Sequence, residues 1–340
     1  MSNDAPRDHG GGLDAAAARF GGARRDWIDL STGINPVPYP VDEISSDAWT
    51  ALPDQGAMDR LLTAARKFWN VPDGAEIIAA NGASALIAKV PYLTGDVGGV
   101  YIPQPTYNEH AAAIDAARNG IWVSDDPDEA HMHVYVHPNN PTGQLWSEQD
   151  IHRPSIAIID ESFCDVTPNR SHIEEADEPG RFVLKSFGKF WGLAGLRLGF
   201  VIGATQQHWI AEPYRVSERS TPHWTTKLNE LLGPWAASGP ALEIGARALE
   251  DVAWAEATRI RLAADASRLD DVMVKAGAKV VGGTDLFRLY EVADAEAAQQ
   301  HLAKGKVWSR IFPYSKTWLR LGLPAPERWG QLEAAVEGLH

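Results

Sequence analysis

The sequence predicts an α/β fold: a mainly parallel sheet flanked by helices, with a smaller α+β domain. Three observations carry that prediction. Six short, nearly unbroken apolar runs recur between residues 76 and 203, as in strands covered on both faces. Helix-like stretches lie between several of them, the alternation that builds parallel βα units. Beyond a long amphipathic pattern at 245–277, shorter strand-like runs return.

Taken in chain order, residues 58–69 (MDRLLTAARKFW) predict a helix and 76–80 (EIIAA) the first buried strand. A helix over 83–93, a strand at 99–102 (GVYI) and a helix over 107–119 follow. Strands are then predicted at 132–136 (MHVYV), 156–160 (IAIID), 181–186 (RFVLKS) and 199–203 (GFVIG). From about residue 223 the texture becomes helical, at 228–237 and then as one long helix over 245–277. Strands at 279–283, 284–292, 306–312 and 317–323 come next, with helices at 294–304 and 326–337. The expected division is a large domain at 28–245 and a small one made of 246–340 with the arm 1–27.

Bulk properties narrow the function. The 340 residues carry a net charge of −14, against the basic patches that nucleic acid or an anionic membrane needs. An anionic small ligand needs only a few local arginines and stays compatible. The single cysteine, Cys164, forms no intramolecular disulfide and fits a reducing cytoplasm. No run of about 18 apolar residues suggests a membrane span, and MSNDAPRDHGGG lacks the apolar core of a signal peptide. Thirteen tryptophans are a high count for this length.

Ligands of parallel α/β sheets sit beyond the carboxyl ends of the strands, so the residues after each strand matter most. NGAS (81–84) offers the backbone of Ala83 and the hydroxyl of Ser84 at a helix start, either a phosphate cradle or a plain capped turn. Tyr107 stands at another helix start, to stack on a planar ring or to pack. HPNNPTG (137–143) has more than its turn requires: Pro and Gly set the turn, but the Asn139–Asn140 pair is extra. Asp160 closes an apolar strand, where a carboxylate needs a cationic partner. SFGKFWGLAGLRLG (186–199) places Ser186 and Lys189 before Arg197. Lys189 is either a surface lysine laying its stem over apolar neighbours or a partly buried amine, nucleophilic toward carbonyls.

Together these groups match the needs of pyridoxal phosphate: donors for its phosphate, a face to stack on, a carboxylate for its ring nitrogen, a lysine for its aldehyde. HPNNPTG, DESF and SFGKFWGLAGLRLGF resemble the fold-type I pyridoxal-phosphate enzymes, the aspartate aminotransferase superfamily, over roughly residues 28–325. The resemblance implies that Lys189 carries the cofactor as a Schiff base and Asp160 pairs with its ring nitrogen. It implies that Asn140 bonds the ring hydroxyl oxygen and Tyr107 stacks on the ring. Ala83, Ser84, Ser186 and Arg197 would hold the phosphate. Arg320, in WLRLGL, matches an arginine that grips the substrate α-carboxylate. A homodimer is also implied, without metal, nucleic-acid or membrane partners.

Within the superfamily the chain resembles two families, the histidinol-phosphate aminotransferases and the threonine-phosphate decarboxylases of cobalamin biosynthesis. The opening HGG and the segment DLSTGINP resemble the decarboxylases. They suggest His9 and Gly10 against a substrate phosphate, as against a plain glycine-rich tail, and Asn35 near the substrate. DESF in place of DEAY points the same way, with Phe163 lacking a tyrosine's hydroxyl. Arg310 stands ten residues before Arg320 on an expected neighbouring strand; it either helps hold a carboxylate or a second anion, or makes a surface ion pair. Leu52-Pro53-Asp54 replaces a Y-P-D or Y-P-E segment whose tyrosine reaches the partner subunit's phosphate, a bond that leucine cannot donate.

Overall fold

A computed structural model describes residues 9–93, 98–117, 120–205 and 223–339. The first eight residues of the arm, the last two of the helix expected at 107–119 and residue 340 lie outside it. The chain forms two compact units: Tyr39–Asn140 with Leu145–Ala255, and Met1–Pro38 with Pro141–Gln144 and Glu256–His340.

The smaller unit opens with α1 (Leu13–Phe20) and β1 (Ile28–Asp29). Residues 28–38 group with it, as β1 pairs in parallel with a strand at 307–308.

The larger unit runs through α2 (Ser46–Thr50), α3 (Gln55–Trp69), β2 (Ala75–Ala80), α4 (Ala83–Ile87), α5 (Val90–Leu93), β3 (Gly99–Tyr101), α6 (Glu109–Ala117), β4 (Trp122–Ser124), β5 (Met132–Val136), α7 (Glu148–His152), β6 (Ile156–Asp160), β7 (Arg181–Ser186), β8 (Gly199–Ala204), α8 (Trp224–Leu232) and α9 (Gly239–Glu250). Its seven-stranded sheet has the order β2-β8-β7-β6-β5-β3-β4. β8 runs antiparallel to both neighbours and the other pairs are parallel. β5, β6 and β8 are buried at every residue, in accord with their unbroken apolar sequences. Strand side chains alternate between faces. Ile156, Ile158, Phe182 and Leu184 thus join one core with Leu86, Ile114, Trp224 and Leu228 of α4, α6 and α8. The odd-numbered residues of β6 and β7 face the other way. That second face is aromatic: Trp69 meets Phe200 at 5.0 Å, and Trp191 stacks on Phe187 at 5.1 Å and on Trp254 at 5.4 Å.

Two helices expected as continuous are broken. Pro91 separates α4 from α5, since its ring clashes with the carbonyl four residues back and it lacks an N–H. The helix expected over 245–277 stops at Glu250. Asp251 leaves helical geometry, and its carboxylate accepts the Trp254 amide at 3.0 Å, starting a new helix. β4 was not expected; its Trp122 is exposed, so it lacks the apolar signature of the inner strands.

The rest of the smaller unit comprises α10 (Val252–Lys275, all but its first turn), β9 (Lys279–Thr284), β10 (Phe287–Glu291), α11 (Ala295–Lys304), β11 (Val307–Trp308), β12 (Arg310–Phe312), β13 (Ser315–Gly322) and α12 (Trp329–Val336). Ala255, Thr258, Leu262, Ala266, Leu269 and Met273 are buried, the three-to-four-residue stripe of an amphipathic helix. β12-β13-β10-β9 form an antiparallel sheet. The strand expected at 306–312 is two strands: buried Ser309 separates β11, paired with β1, from β12, paired with β13. Among the described residues no helix is long and apolar enough to cross a membrane.

Candidate active site

Sheet register assembles the candidate cofactor residues of the larger unit. Val136 pairs with Asp160, and Asp160 with Leu184. Gly199, at the start of the reversed β8, pairs with both Ala80 and Ser186. The NGAS turn, Ser186 and Arg197 therefore meet at one end of the sheet. Gly82, at φ 99°, is required there: a Cβ would lie 2.6 Å from Arg197 Nη2. Arg197 takes a left-handed backbone (φ 53°), and its Nη1 donates to the Ala194 carbonyl at 3.1 Å.

Strand parity places Asp160 on the α6 face. His110, on α6, lies with Nε2 2.9 Å from Asp160 Oδ2. Asp160 Oδ1 accepts both the Ser162 amide, at 3.0 Å, and its hydroxyl, at 2.5 Å. Burial alone raises a carboxyl's pKa; the His110 and Ser162 hydrogen bonds outweigh it and hold Asp160 below its usual value. Tyr107 shares a hydrogen bond with Ser84, and its ring meets His110 edge-on at 6.2 Å. Burial, with the Asp160 and Glu109 charges, pushes its hydroxyl up to about 12, so it stays protonated. Ser84, Tyr107 and Asp160 are thus one connected set, with Arg197 and Ser186 beside it.

Lys189 is half-buried, with Nζ 5.1 Å above the Phe163 ring. Asn140 is half-buried. Its neighbour Asn139 is the brace: its amide donates to the Pro105 carbonyl at 3.0 Å, and its oxygen accepts the Thr106 hydroxyl at 2.5 Å. The extra asparagine of HPNNPTG therefore fixes the turn before Tyr107.

The substrate candidates lie in the smaller unit. Arg310 and Arg320 are direct cross-strand partners. Arg320 is buried, over the Phe287 ring at 5.0 Å, and Arg310 is half-buried, over Phe312 at 5.6 Å. Asn35 is buried; its oxygen accepts from Arg261 at 2.7 Å and from the Val37 amide at 3.0 Å. His9 and Gly10 are exposed.

Three groups escaped the sequence analysis. His110 is one, in the first turn of α6 and three residues after Tyr107. Arg261, which holds Asn35, is another. The third is an ionic network on the aromatic side of the sheet. Lys185 Nζ lies 2.5 Å from Glu161 Oε2, 3.6 Å from Asp165 and 5.6 Å over the Trp69 ring. Glu161 also accepts the Ser171 hydroxyl and the His172 amide, each at 2.6 Å. Asp165 accepts the indole N–H groups of Trp69 and Trp191, at 3.0 and 3.2 Å. The signal was a lysine inside the apolar run FVLKS.

His137, Glu161 and Cys164 lie close enough together for a metal ion, but their atoms are committed elsewhere. His137 Nδ1 accepts the Trp146 amide at 3.0 Å, and Nε2–H donates to the Arg170 carbonyl at 2.7 Å. That fixes a neutral imidazole, and burial lowers its pKa to about 4. The unfolded chain takes up this proton below about pH 6.5, and the fold does not until about pH 4. Its share of stability is complete above pH 6.5 and falls by about 3 kcal/mol as pH drops between those values. Urea unfolding across this range should show that slope in the native sequence and lose it in His137→Gln.

The fold and these sites define a fold-type I pyridoxal-phosphate protein, and the model of the family "Aminotransferase class I and II" matches residues 123–339. The chain belongs to that family. It is 36% identical to a threonine-phosphate decarboxylase of Sinorhizobium over 97% of both chains. A histidinol-phosphate aminotransferase of Desulfitobacterium hafniense (strain Y51) is 26% identical over 89% of each. The structure of a histidinol-phosphate aminotransferase from Sinorhizobium meliloti, in complex with pyridoxal-5'-phosphate, superimposes with a TM-score of 0.77 at 15% identity, covering 100% of this chain and 99% of that one.

Proposed function

We propose that the protein is a pyridoxal-phosphate-dependent carboxy-lyase that converts L-threonine O-3-phosphate to (R)-1-amino-2-propanol O-2-phosphate for cobalamin biosynthesis. The carrying observation is the 36% identity to a threonine-phosphate decarboxylase along 97% of both chains, against 26% for the aminotransferase.

The chain's own groups fit the cofactor. Ala83, Ser84, Ser186 and Arg197 hold the phosphate, and the close approach of Arg197 to Gly82 supports that cradle. Tyr107 covers the ring and Asn140 bonds its hydroxyl oxygen. Asp160, kept ionised by His110 and Ser162, pairs with the ring nitrogen. Lys189 Nζ is the anchoring amine. When bound, pyridoxal phosphate supplies an electron sink for the charge left on the substrate α-carbon.

Arg320 and Arg310 hold the substrate carboxylate. Like charges directly opposite on paired strands repel each other, and an anion offsets that cost. His9 and Gly10 take the phosphate, and Asn35 contributes a polar contact. Gripping both ends fixes the torsion that decides which α-carbon bond breaks. Lys189 Nζ then returns a proton to the α-carbon. A cytoplasmic homodimer belongs to this reading; Val41, Trp49 and Leu52, all strongly exposed apolar residues of the larger unit, support self-association.

The test is a product assay on the holoenzyme with L-threonine O-3-phosphate and no keto acid. Carbon dioxide released in step with aminopropanol phosphate over many turnovers is the expected result. Turnover only with histidinol phosphate and 2-oxoglutarate would make the protein an aminotransferase.

A further inference from the structure

Ser31 joins two substrate candidates that lie far apart in sequence. It is buried, in the stretch after β1. Its Oγ accepts the Gly11 amide at 2.6 Å and donates to Asp29 Oδ1 at 2.6 Å. Asp29 Oδ1 also accepts the Ser31 amide at 2.9 Å. The Ser31 carbonyl accepts from Arg320 Nη2. A Cβ on Gly10 would collide with that same carbonyl oxygen, so the glycine of the HGG segment lets the arm lie against the acceptor of Arg320. Trp308 Nε1 adds a bond to the Gly11 carbonyl at 3.0 Å.

We propose that Asp29 and Ser31 form a positioning relay that fixes the His9–Gly10–Gly11 arm to the peptide holding Arg320. The relay sets the spacing between the groups that grip the two anionic ends of the substrate, a carboxylate and a phosphate. This rests on the functional reading above. Asp29 fixes the hydroxyl's proton direction, leaving its lone pair for Gly11.

Two readouts test it. Site-resolved amide exchange of Gly11 in the holoenzyme reports the relay whatever reaction the enzyme performs. Gly11 is expected to be protected in the native protein and to lose that protection in Ser31→Ala and Asp29→Ala. The conservative Asp29→Asn, which keeps the acceptor oxygen, is expected to restore it. The second readout is steady-state kinetics with whichever phosphorylated amine the enzyme turns over. Ser31→Ala is expected to raise KM about tenfold, the weight of one hydrogen bond, and to change kcat less than about threefold. Unchanged Gly11 exchange in Ser31→Ala would overturn the relay. Lost protection with an unchanged KM would overturn its role in substrate binding. Failure of phosphothreonine turnover in the native enzyme would count against the functional reading alone, since the exchange result stands apart from it.

Discussion

Lys185→Met is expected to destabilise the protein by about 3–5 kcal/mol, the usual cost of removing one partner from a buried ion pair. The lysine side chain is fully buried with Glu161 and Asp165. Burial favours a neutral amine, but those carboxylates win and raise the Lys185 pKa; the ammonium in turn holds Glu161 below the usual carboxylate range. Methionine fills similar volume but leaves two negative charges without their cation. A lowered urea midpoint, measured on the cofactor-loaded protein, is the readout. Adding Glu161→Gln should recover part of the loss, as expected of coupled neighbours. A single variant as stable as the native protein would mean that Glu161 can shed its charge by taking up a proton.

Lys189→Ala is expected to reduce turnover by about a thousandfold or more, since on the proposed reading it removes both the covalent anchor and a proton donor. The visible absorbance that the bound cofactor gains from its link to the protein should disappear with it. Stability should change little, because Lys189 is only half-buried, 5.1 Å above the Phe163 ring. The two lysines, four residues apart, are therefore separable: one loses the fold without touching the chemistry, the other the reverse. Native turnover in Lys189→Ala would overturn the proposed role of Lys189 as the anchoring amine.

The contrast also explains what was legible in the sequence. Asp160 and Ser186 close their strands and Lys189 follows three residues later, where local pattern and the order of motifs single them out as candidates without tertiary information. The all-buried strands β5, β6 and β8 were equally plain, because an apolar run needs no partner to be recognised. The relay at Ser31 and the network at Lys185 depend on which distant groups arrive beside them. Gly11 meets Ser31 across 20 residues and Arg320 meets it across 289, and no periodicity encodes such pairs. The break at Asp251 failed for another reason: the apolar stripe runs on through it, and only the cap bond to Trp254 shows that one helix has become two. β4 was missed because an exposed strand lacks the apolar run that identifies buried ones.

The stacking of Trp191 on Trp254, centroids 5.4 Å apart and planes 13° from parallel, has a spectroscopic consequence. Two indoles this close couple their intense far-ultraviolet transitions and should give a paired dichroism signal absent from isolated tryptophans. Trp191 is two residues beyond Lys189, so the pair is an intrinsic optical probe of the segment that carries the proposed anchoring amine. Part of the high tryptophan content thus offers a label-free way to follow that segment through cofactor loading.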